Sequence, residues 1–487
     1  MEAPLAKSSS SVQSVDLLDS SAMGVKTYGS FVAVATTFNY MIGTGCFGLP
    51  YAFASAGIGL TSIFLIVGFF GALITMNYTL ESMARADGVL TAGKMTAVPP
   101  EARLTYRKID FSEIGEVFAG KSGFITVQAV LCIYCLGSLW SYASIYASSV
   151  ASIFYSYALN DSCDAYAINA STGCLNAYYG AMVIFSVLSI ILVLMDLGDQ
   201  QMLQKFLSAY RIVAFTLMLV TLTVKLVVDG SDAISARLDA RGAWAFNLHN
   251  FSTGFGPTLL ALNCQYNMPN ALQPLEAKEK KNARLITFGS MTAAGICYFL
   301  LGLLGALAFD NVNPLASLMW SDFTGCGNGW GECASGGASW LGAIVHIVIL
   351  MFPVVNVTSA FPMVGLTVGC NILPSLPKSI TAPLGTHRTH VLSRLIAVVP
   401  PLILAAVFKK IDAIFTFAGF FGFALGLIIP AGFQVVGLLF CRRVYGSIDA
   451  AWTPFTAPGV SSLGFSVSFL VFTFVVTLVA LFSLVGF

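Results

Sequence analysis

Charged residues are scarce in this chain of 487 residues. Asp, Glu, Lys and Arg together make up 10% of the sequence, whereas hydrophobic residues make up 57% and the mean hydropathy is +0.82. A soluble domain carries about 25% charged residues, so this composition excludes a soluble protein. The formal net charge of +1 and the lack of a basic stripe argue against nucleic acid as a partner. The composition is that of a protein embedded in a lipid bilayer.

The chain also has few of the residues from which active sites and metal centres are built. It contains four histidines and no HExxH, GxSxG or P-loop motif. The sequence shows no pore loop and no ring of charged residues of the kind found in channels. We therefore expect that the protein is not an enzyme, and that it holds neither a metal ion nor a cofactor.

Long apolar runs account for most of the chain after residue 27. Residues 1–27 are polar and serine-rich and lack the apolar core of a cleavable signal peptide, so we expect the first span to start insertion. At about 20 residues per span, the runs predict an all-α polytopic protein with eleven transmembrane helices. Their approximate bounds are 29–56, 58–82, 123–156, 178–196, 205–228, 250–274, 285–309, 339–369, 390–408, 412–440 and 461–486.

Lysine and arginine are distributed unevenly between the two sides of these spans. If the N-terminus lies in the cytosol, 19 of the 24 basic residues fall on the cytosolic side. The other five are Lys225, Arg237, Arg241, Lys409 and Lys410. Cytosolic loops are enriched in basic residues, so we predict a cytosolic N-terminus and a C-terminus on the opposite side.

Two loops on the predicted outer side carry pairs of cysteines. Cys163 and Cys174 flank the sequon at Asn169 after the third span, and Cys326 and Cys333 follow the seventh span. Such pairs suit an oxidising compartment, and pairing within each loop is the simplest connectivity. We predict two disulfides and a glycan at Asn169. These features fit the plasma membrane as well as the membrane of a lysosome or vacuole.

The first span carries helix-breaking residues near its middle. The apolar run TTFNYMIGTGCFGLPYAFASAG, residues 36–57, contains Gly43, Gly45, Gly48 and Pro50. In a bilayer, broken backbone is tolerated only where it is buried in protein or lines a cavity. Many secondary transporters hold substrate and ions at such breaks. A glycine-rich face for helix packing is the alternative interpretation.

The sixth span contains a second interruption at NCQYNMP, residues 263–269. Its amide side chains are costly in hydrocarbon unless they face a partner or a cavity. The two interrupted spans are five apart, which predicts two five-helix halves of inverted topology. We place a polar tail at 1–27, the halves at 28–249 and 250–440, and a loop with the eleventh helix at 441–487.

Several of these motifs resemble those of the amino acid/auxin permease family. The first span resembles its N-x-x-x-G-[TS]-G pattern followed by LPYAF, and Met268-Pro269 precedes a basic loop as in its sixth span. The run from Ile411 to Pro430 is similar to its tenth span, whereas FPVVNVTSAFP at 352–362 is closer to orphan members than to sodium-coupled neutral amino acid transporters. The resemblance covers nearly all of the chain from about residue 28.

This resemblance implies a leucine-transporter type fold and the transport of amino acids. The expected activity is secondary active transport by alternating access, as symport with sodium or protons. A sensor of the same fold that binds an amino acid with little or no transport is the alternative. The expected partners are the amino acid substrate and the lipid bilayer.

The breaks and the resemblance together name candidate substrate-binding residues. A helix end with free N–H groups suits a carboxylate, so we expect the substrate carboxylate at the backbone of Gly43, Thr44 and Gly45, with the Thr44 hydroxyl as an extra donor. The substrate ammonium is expected at sixth-span carbonyls between Leu262 and Gln265. The further candidates are Tyr134, Ser138, Asn263 and Gln265. In the third span, Tyr134, Ser138, Tyr142 and Tyr146 share a helix face, for which aromatic packing is the alternative.

A coupling cation would take oxygen ligands from the first and eighth spans. The resemblance implies that Asn39 contributes to a sodium site, and Asn356, Thr358 and Ser359 are the eighth-span candidates. Asn39 could instead brace the broken helix, and Thr or Ser hydroxyls also bond to their own helix. Protons are the rival coupling ion. Arg211, near the start of the fifth span, is expected to snorkel or to pair with an acidic residue.

Overall fold

Helices build almost the whole described part of the protein. The computed structural model describes residues 27–92, 103–107, 109–159, 163–167, 169–195, 201–325, 330, 340–373 and 376–485. The α-helices within these residues are α1 Ser30–Met41, α2 Leu49–Ser55, α3 Ile58–Ala92, α4 Phe111–Phe154, α5 Thr172–Leu194, α6 Gln201–Ala240, α7 Phe251–Ala261, α8 Met268–Leu272, α9 Ala283–Ala308, α10 Trp340–Ile372, α11 Lys378–Val407, α12 Ile411–Phe423, α13 Ile429–Tyr445 and α14 Leu463–Val485.

Nine helical segments of the described residues are long and apolar enough to cross a membrane. They are α3, α4, α5, α6, α9, α10, α11, α12 joined to α13, and α14. Outward-facing apolar side chains such as Val183 and Val227 are 64% and 76% exposed, as expected for helices that face lipid. The protein is therefore a multi-pass membrane protein, and these nine segments correspond to nine of the predicted spans.

The first and sixth predicted spans are interrupted at the predicted places. A 3-10 turn over Thr44–Gly48 separates α1 from α2, and a turn over Gln265–Asn267 lies between α7 and α8. Glycine and proline remove side-chain packing or a backbone donor, which explains why the helix stops at the first break. The second break lies instead in the amide-rich run 263–267. Membrane crossing by these two interrupted segments, and hence the total of eleven spans, stays a prediction.

A buried polar network joins three of the long helices. Helix α3 continues to Ala92, beyond the predicted end of the second span at residue 82. Near the predicted end of this span Glu81 and Arg85 form an ion pair, and both are buried. Arg85 also donates to Gln434 Oε1 on α13 at 2.8 Å, and the Ser461 hydroxyl before α14 donates to Glu81. The network fixes the end of α3 against α13 and the start of α14.

Glycines bring the backbone of α12 into contact with that of α7. A Cβ built on Gly419 would lie 2.2 Å from the carbonyl oxygen of Gly256, and one on Gly256 would lie 2.7 Å from Thr416 Cα. Small residues at such a crossing allow helices to approach closely where lipid supplies no hydrophobic driving force. The crossing brings the tenth span against the interrupted sixth span.

One of the two predicted disulfides lies within the described residues and is confirmed. Cys163 and Cys174 are bonded, with their Cα atoms 5.5 Å apart. Asn169 lies in the turn between them and is exposed. Cys326 and Cys333 lie outside the described residues, so their pairing stays a prediction.

We predict that Asn169 carries an N-glycan in protein made by a eukaryotic cell, because its sequon is exposed in a polar loop. Glycopeptide mass spectrometry should find the glycan in the wild type and not in Asn169→Gln. The control Asn160→Gln removes a second sequon of the same loop, Asn160-Asp161-Ser162, and should leave the Asn169 glycan in place. An unmodified Asn169 in the wild type would contradict the predicted orientation of this loop.

We also predict that the Glu81–Arg85 pair is essential for stability. Glu81→Ala leaves a buried guanidinium without its carboxylate, which should cost about 3–5 kcal/mol. The midpoint of thermal unfolding in detergent should fall accordingly. The exposed pair between Lys278 and Glu276 is the control, since Lys278→Ala should leave the unfolding midpoint nearly unchanged. Equal effects of the two substitutions would contradict this prediction.

Candidate functional site

The backbone groups freed at the first break are held by side chains. After Met41, Ile42 and Gly43 leave helical geometry, with φ/ψ of −70°/76° and −98°/−159°. The Met41 carbonyl accepts a hydrogen bond from the Tyr298 hydroxyl of α9 at 2.5 Å, and the Cys46 thiol donates to the Gly43 carbonyl at 3.1 Å. Because unpaired buried carbonyls are costly, these contacts stabilise the open end of α1.

Gln265 braces the second break. Its Oε1 atom accepts from the Cys264 backbone N–H at 2.9 Å, and its Nε2 atom donates to Thr75 Oγ1 on α3 at 3.1 Å. The side chain is 1% exposed. Gln265 was predicted as a substrate ligand. In the structure its side chain links the broken sixth span to α3.

The two breaks lie side by side. A Cβ built on Gly45 would lie 2.4 Å from the backbone nitrogen of Ala261, the last residue of α7, and 2.7 Å from its Cα atom. Glycine is needed here because another backbone occupies the space that a side chain would take. Both interpretations of the glycine-rich run therefore apply to Gly45. The residue lies in a helix break, and it also forms a close packing contact.

Of the four residues that share one face of α4, two lie next to the helix breaks. The Tyr134 ring meets Tyr266 edge to face, with centroids 5.4 Å apart, and the Tyr142 hydroxyl lies 4.0 Å from where a Cβ on Gly43 would be. Tyr146 instead stacks on Phe185 of α5 at 4.3 Å. For Tyr146 the aromatic-packing alternative holds. Ser138 is 2% exposed on the same helix.

Asn263 presents an amide that the surrounding protein leaves unsatisfied. The residue is 6% exposed, and both polar atoms of its side chain are buried without a hydrogen-bond partner among the described residues. Leaving such atoms unpaired costs about 1–3 kcal/mol each, so a water or a ligand is needed to satisfy them. Of the sequence-predicted candidates at the second break, Asn263 is the one whose side chain is disposed to bind a ligand.

Glycines of the tenth span make room for this amide. Asn263 Oδ1 lies 2.9 Å from where a Cβ on Gly426 would be, and Asn263 Nδ2 lies 3.3 Å from the corresponding position at Gly422. Tyr134 also lies over Gly422, at 3.2 Å. Gly426 belongs to a π-helical turn over Ala424–Ile428, and such turns are frequent at functional sites. Sequence reasoning did not find these glycines, because the tenth span lies far along the chain from Asn263.

The candidate ion ligands of α10 differ in how their side chains are satisfied. The hydroxyls of Thr358 and Ser359 are hydrogen-bonded, whereas both atoms of the buried Asn356 amide have no hydrogen-bond partner among the described residues. The Thr358 hydroxyl donates to the Val354 carbonyl of its own helix at 2.7 Å. Arg211 of α6 donates through Nη2 to the Asn356 carbonyl at 3.2 Å and to the Ser359 hydroxyl. Arg211 is 3% exposed, so the expectation that it snorkels is wrong. The signal in the sequence was a charged residue inside an apolar span, which is by default a functional candidate.

The remaining four candidates belong to the first span. Gly43 and Gly45 lie at the first break, as described above. For Asn39 and Thr44 the structure describes the backbone, and their side chains lie outside the described set. Their assigned contacts with sodium and with the substrate carboxylate stay predictions.

The segment before α1 is tied to the end of α8. The Tyr28 backbone N–H donates to the Pro274 carbonyl at 3.0 Å, and the Glu276 N–H donates to the Tyr28 carbonyl at 3.1 Å. The Tyr28 hydroxyl donates to the Ala271 carbonyl at 2.5 Å, and burial raises the pKa of this hydroxyl. The hydroxyl therefore stays protonated and remains a donor, which links the two interrupted segments at their ends.

The family of the chain follows from comparison with known proteins. Residues 26–478 match the family described as transmembrane amino acid transporter protein. The chain belongs to this family, and its family and fold are those of membrane transporters rather than enzymes. The resemblance seen in the first span is confirmed.

Individual relatives carry the name Transmembrane protein 104. The homolog from Caenorhabditis elegans is 25% identical over 384 residues, which cover 75% of this chain and 72% of the relative. The Homo sapiens protein is 22% identical over 457 residues, covering 83% and 86%. Among solved structures, MhsT in complex with L-phenylalanine matches with a TM-score of 0.56 at 12% identity, over 94% of this chain and 99% of MhsT. This likeness confirms the leucine-transporter type fold.

The contact between the breaks predicts the effect of Gly45→Ala. The added methyl group meets the backbone of Ala261, so overpacking should cost about 1–3 kcal/mol. The midpoint of thermal unfolding in detergent measures this loss. Gly432→Ala on α13 is the matched control, because no heavy atom lies within 4 Å of its Cβ position. A Gly45→Ala variant as stable as the control would show that the two breaks are not packed as described.

Proposed function

We propose that this protein is a secondary active transporter that carries amino acids across a membrane by alternating access, driven by a gradient of sodium or protons. Membership in the amino acid transporter family supports the class of substrate. The observation that carries the proposal is the buried Asn263 amide at the meeting point of the broken sixth span, α4 and α12. A small polar ligand would satisfy atoms that the protein leaves unpaired.

The substrate is proposed to lie between the two breaks. Its carboxylate would meet the backbone N–H groups near Gly43, Thr44 and Gly45, at the positive end of the second half-helix. Its ammonium would meet carbonyls between Leu262 and Gln265, at the negative end of α7. Asn263 would supply the adjoining amide. The Tyr134 ring, which lies beside Asn263 over Gly422, would provide an aromatic contact to the substrate.

The link between Tyr28 and α8 suggests how access is controlled. Three hydrogen bonds join this tyrosine to Ala271, Pro274 and Glu276. We infer that they close the site on the side of the N-terminus, and that opening to this side breaks them. The bias of basic residues supports a cytosolic location for this side. The disulfide on the opposite side suits the plasma membrane or a lysosomal or vacuolar membrane.

The test is uptake by purified protein reconstituted in proteoliposomes. The twenty amino acids are screened with sodium and pH gradients varied separately, and saturable uptake of at least one is expected. Asn263→Ala should weaken its apparent affinity about tenfold, which corresponds to about 1.4 kcal/mol. The exposed Asn176 on α5 provides the matched control, since Asn176→Ala should leave uptake unchanged.

The outcomes separate the proposal from its alternative. Binding of an amino acid without flux would point to a sensor of the same fold. A protein that is folded by its thermal transition, yet neither binds nor carries any amino acid, would contradict the proposal. Equal affinities of the Asn263→Ala and Asn176→Ala variants would contradict the location of the site.

A further inference from the structure

A guanidinium group contacts Asn356 and Ser359, two of the three residues of α10 that were predicted to hold a cation. Arg211 Nη2 lies 3.2 Å from the Asn356 carbonyl and is hydrogen-bonded to the Ser359 hydroxyl, which itself donates to the Asn356 carbonyl at 2.9 Å. All three residues are buried, Arg211 at 3% and the other two at 0% exposed. A carbonyl and a hydroxyl that would coordinate a hard cation thus accept hydrogen bonds from a cationic side chain.

The helix segments that carry this contact pack against the first break. Phe352 of α10, one turn before Asn356, lies edge to face against Phe47 in the break, with ring centroids 5.1 Å apart. It also meets Phe215 of α6, one turn after Arg211, at 6.4 Å. Arg211 therefore lies where α6 and α10 meet beside the broken first span. This is the region in which the sequence predicted sodium, held by first-span carbonyls and an eighth-span hydroxyl.

A second cation at this place would meet strong repulsion. Two unit charges about 4 Å apart in a protein of effective dielectric constant about 20 repel strongly enough to weaken binding about a thousandfold. The positive charge of an arginine is permanent at physiological pH. A sodium ion would also have to displace the guanidinium from Ser359 and from the Asn356 carbonyl.

We propose that Arg211 is a resident cation that replaces sodium between the first, fifth and eighth spans, so that this protein binds and carries its substrate without sodium. The part of this inference that concerns transport rests on the proposed function. The part that concerns ion binding does not, because it is a property of the folded protein alone. Of the two coupling ions considered above, the proton is then the one that remains.

The first experiment measures sodium binding without any substrate. Purified protein is heated in sodium chloride or potassium chloride at equal ionic strength, since a bound ion raises the unfolding midpoint with the logarithm of its concentration. The wild type should show no difference between the two salts. Arg211→Gln and Arg211→Met remove the charge and should each gain a sodium-specific rise. Adding Ser359→Ala to either should abolish that rise.

Two further variants serve as controls. Arg211→Lys keeps the charge and should remain insensitive to sodium. Lys225→Met neutralises another buried cation of the same helix, which pairs with Asp229 and lies away from α10's candidate ligands. It should gain no sodium response, so a rise seen in every neutralised variant would contradict a specific role of Arg211.

The second experiment measures uptake in proteoliposomes with sodium or choline outside. Wild-type uptake should differ less than twofold between them. A saturable sodium-specific rise in wild-type stability, or a sodium dependence of uptake above about tenfold, would overturn the proposal. Neutral variants that fold but ignore sodium would also overturn it, and if neither neutral variant can be purified, the wild-type stability measurement decides by itself. A wild type that ignores sodium and transports nothing contradicts the proposed function and leaves the resident cation supported.

Discussion

The structure depends on how backbone groups freed at two helix breaks are satisfied inside a membrane. In hydrocarbon each unpaired N–H or C=O group costs several kcal/mol. The Met41 carbonyl is held by Tyr298 of α9, the Gly43 carbonyl by Cys46, and the Cys264 N–H by Gln265, which is itself anchored on α3. The helices around the breaks are therefore part of the site. They offset the cost of the interruptions, and the Asn263 amide is a group that a ligand can satisfy.

Charges inside the membrane region mark two places with different roles. At one end of α3, Glu81 and Arg85 neutralise each other and are further hydrogen-bonded to α13 and the start of α14. A buried ion pair whose hydrogen bonds are made in this way has a structural role, because it holds the three helices together. Arg211 instead places a positive charge on the Asn356 carbonyl and the Ser359 hydroxyl of α10. In our proposal this charge takes the place that a bound metal ion would otherwise fill.

Close glycine contacts and breakable hydrogen bonds coexist around the breaks. Gly45 lies on the backbone of Ala261, and Gly419 lies on that of Gly256, so these elements form one tightly packed unit. The tie between Tyr28 and Ala271 is by contrast made of polar contacts at the ends of the interrupted segments. Motion by rigid units about such contacts is a common way in which transporters alternate their access.

The sequence by itself determined features that are encoded locally. Hydropathy predicted the nine continuous spans, glycine and proline predicted the first interruption, and buried amides predicted the second. Pairing within one loop, the simplest connectivity, predicted the bond between Cys163 and Cys174. Each of these depends on residues close together in the chain. The tertiary structure alone decided that Gln265 is a brace, that Tyr298 holds a carbonyl 257 residues away, and that Arg211 reaches Ser359, 148 residues further on. No local pattern specifies which helix faces meet, because that is set by side-chain packing and hydrogen bonding between distant segments.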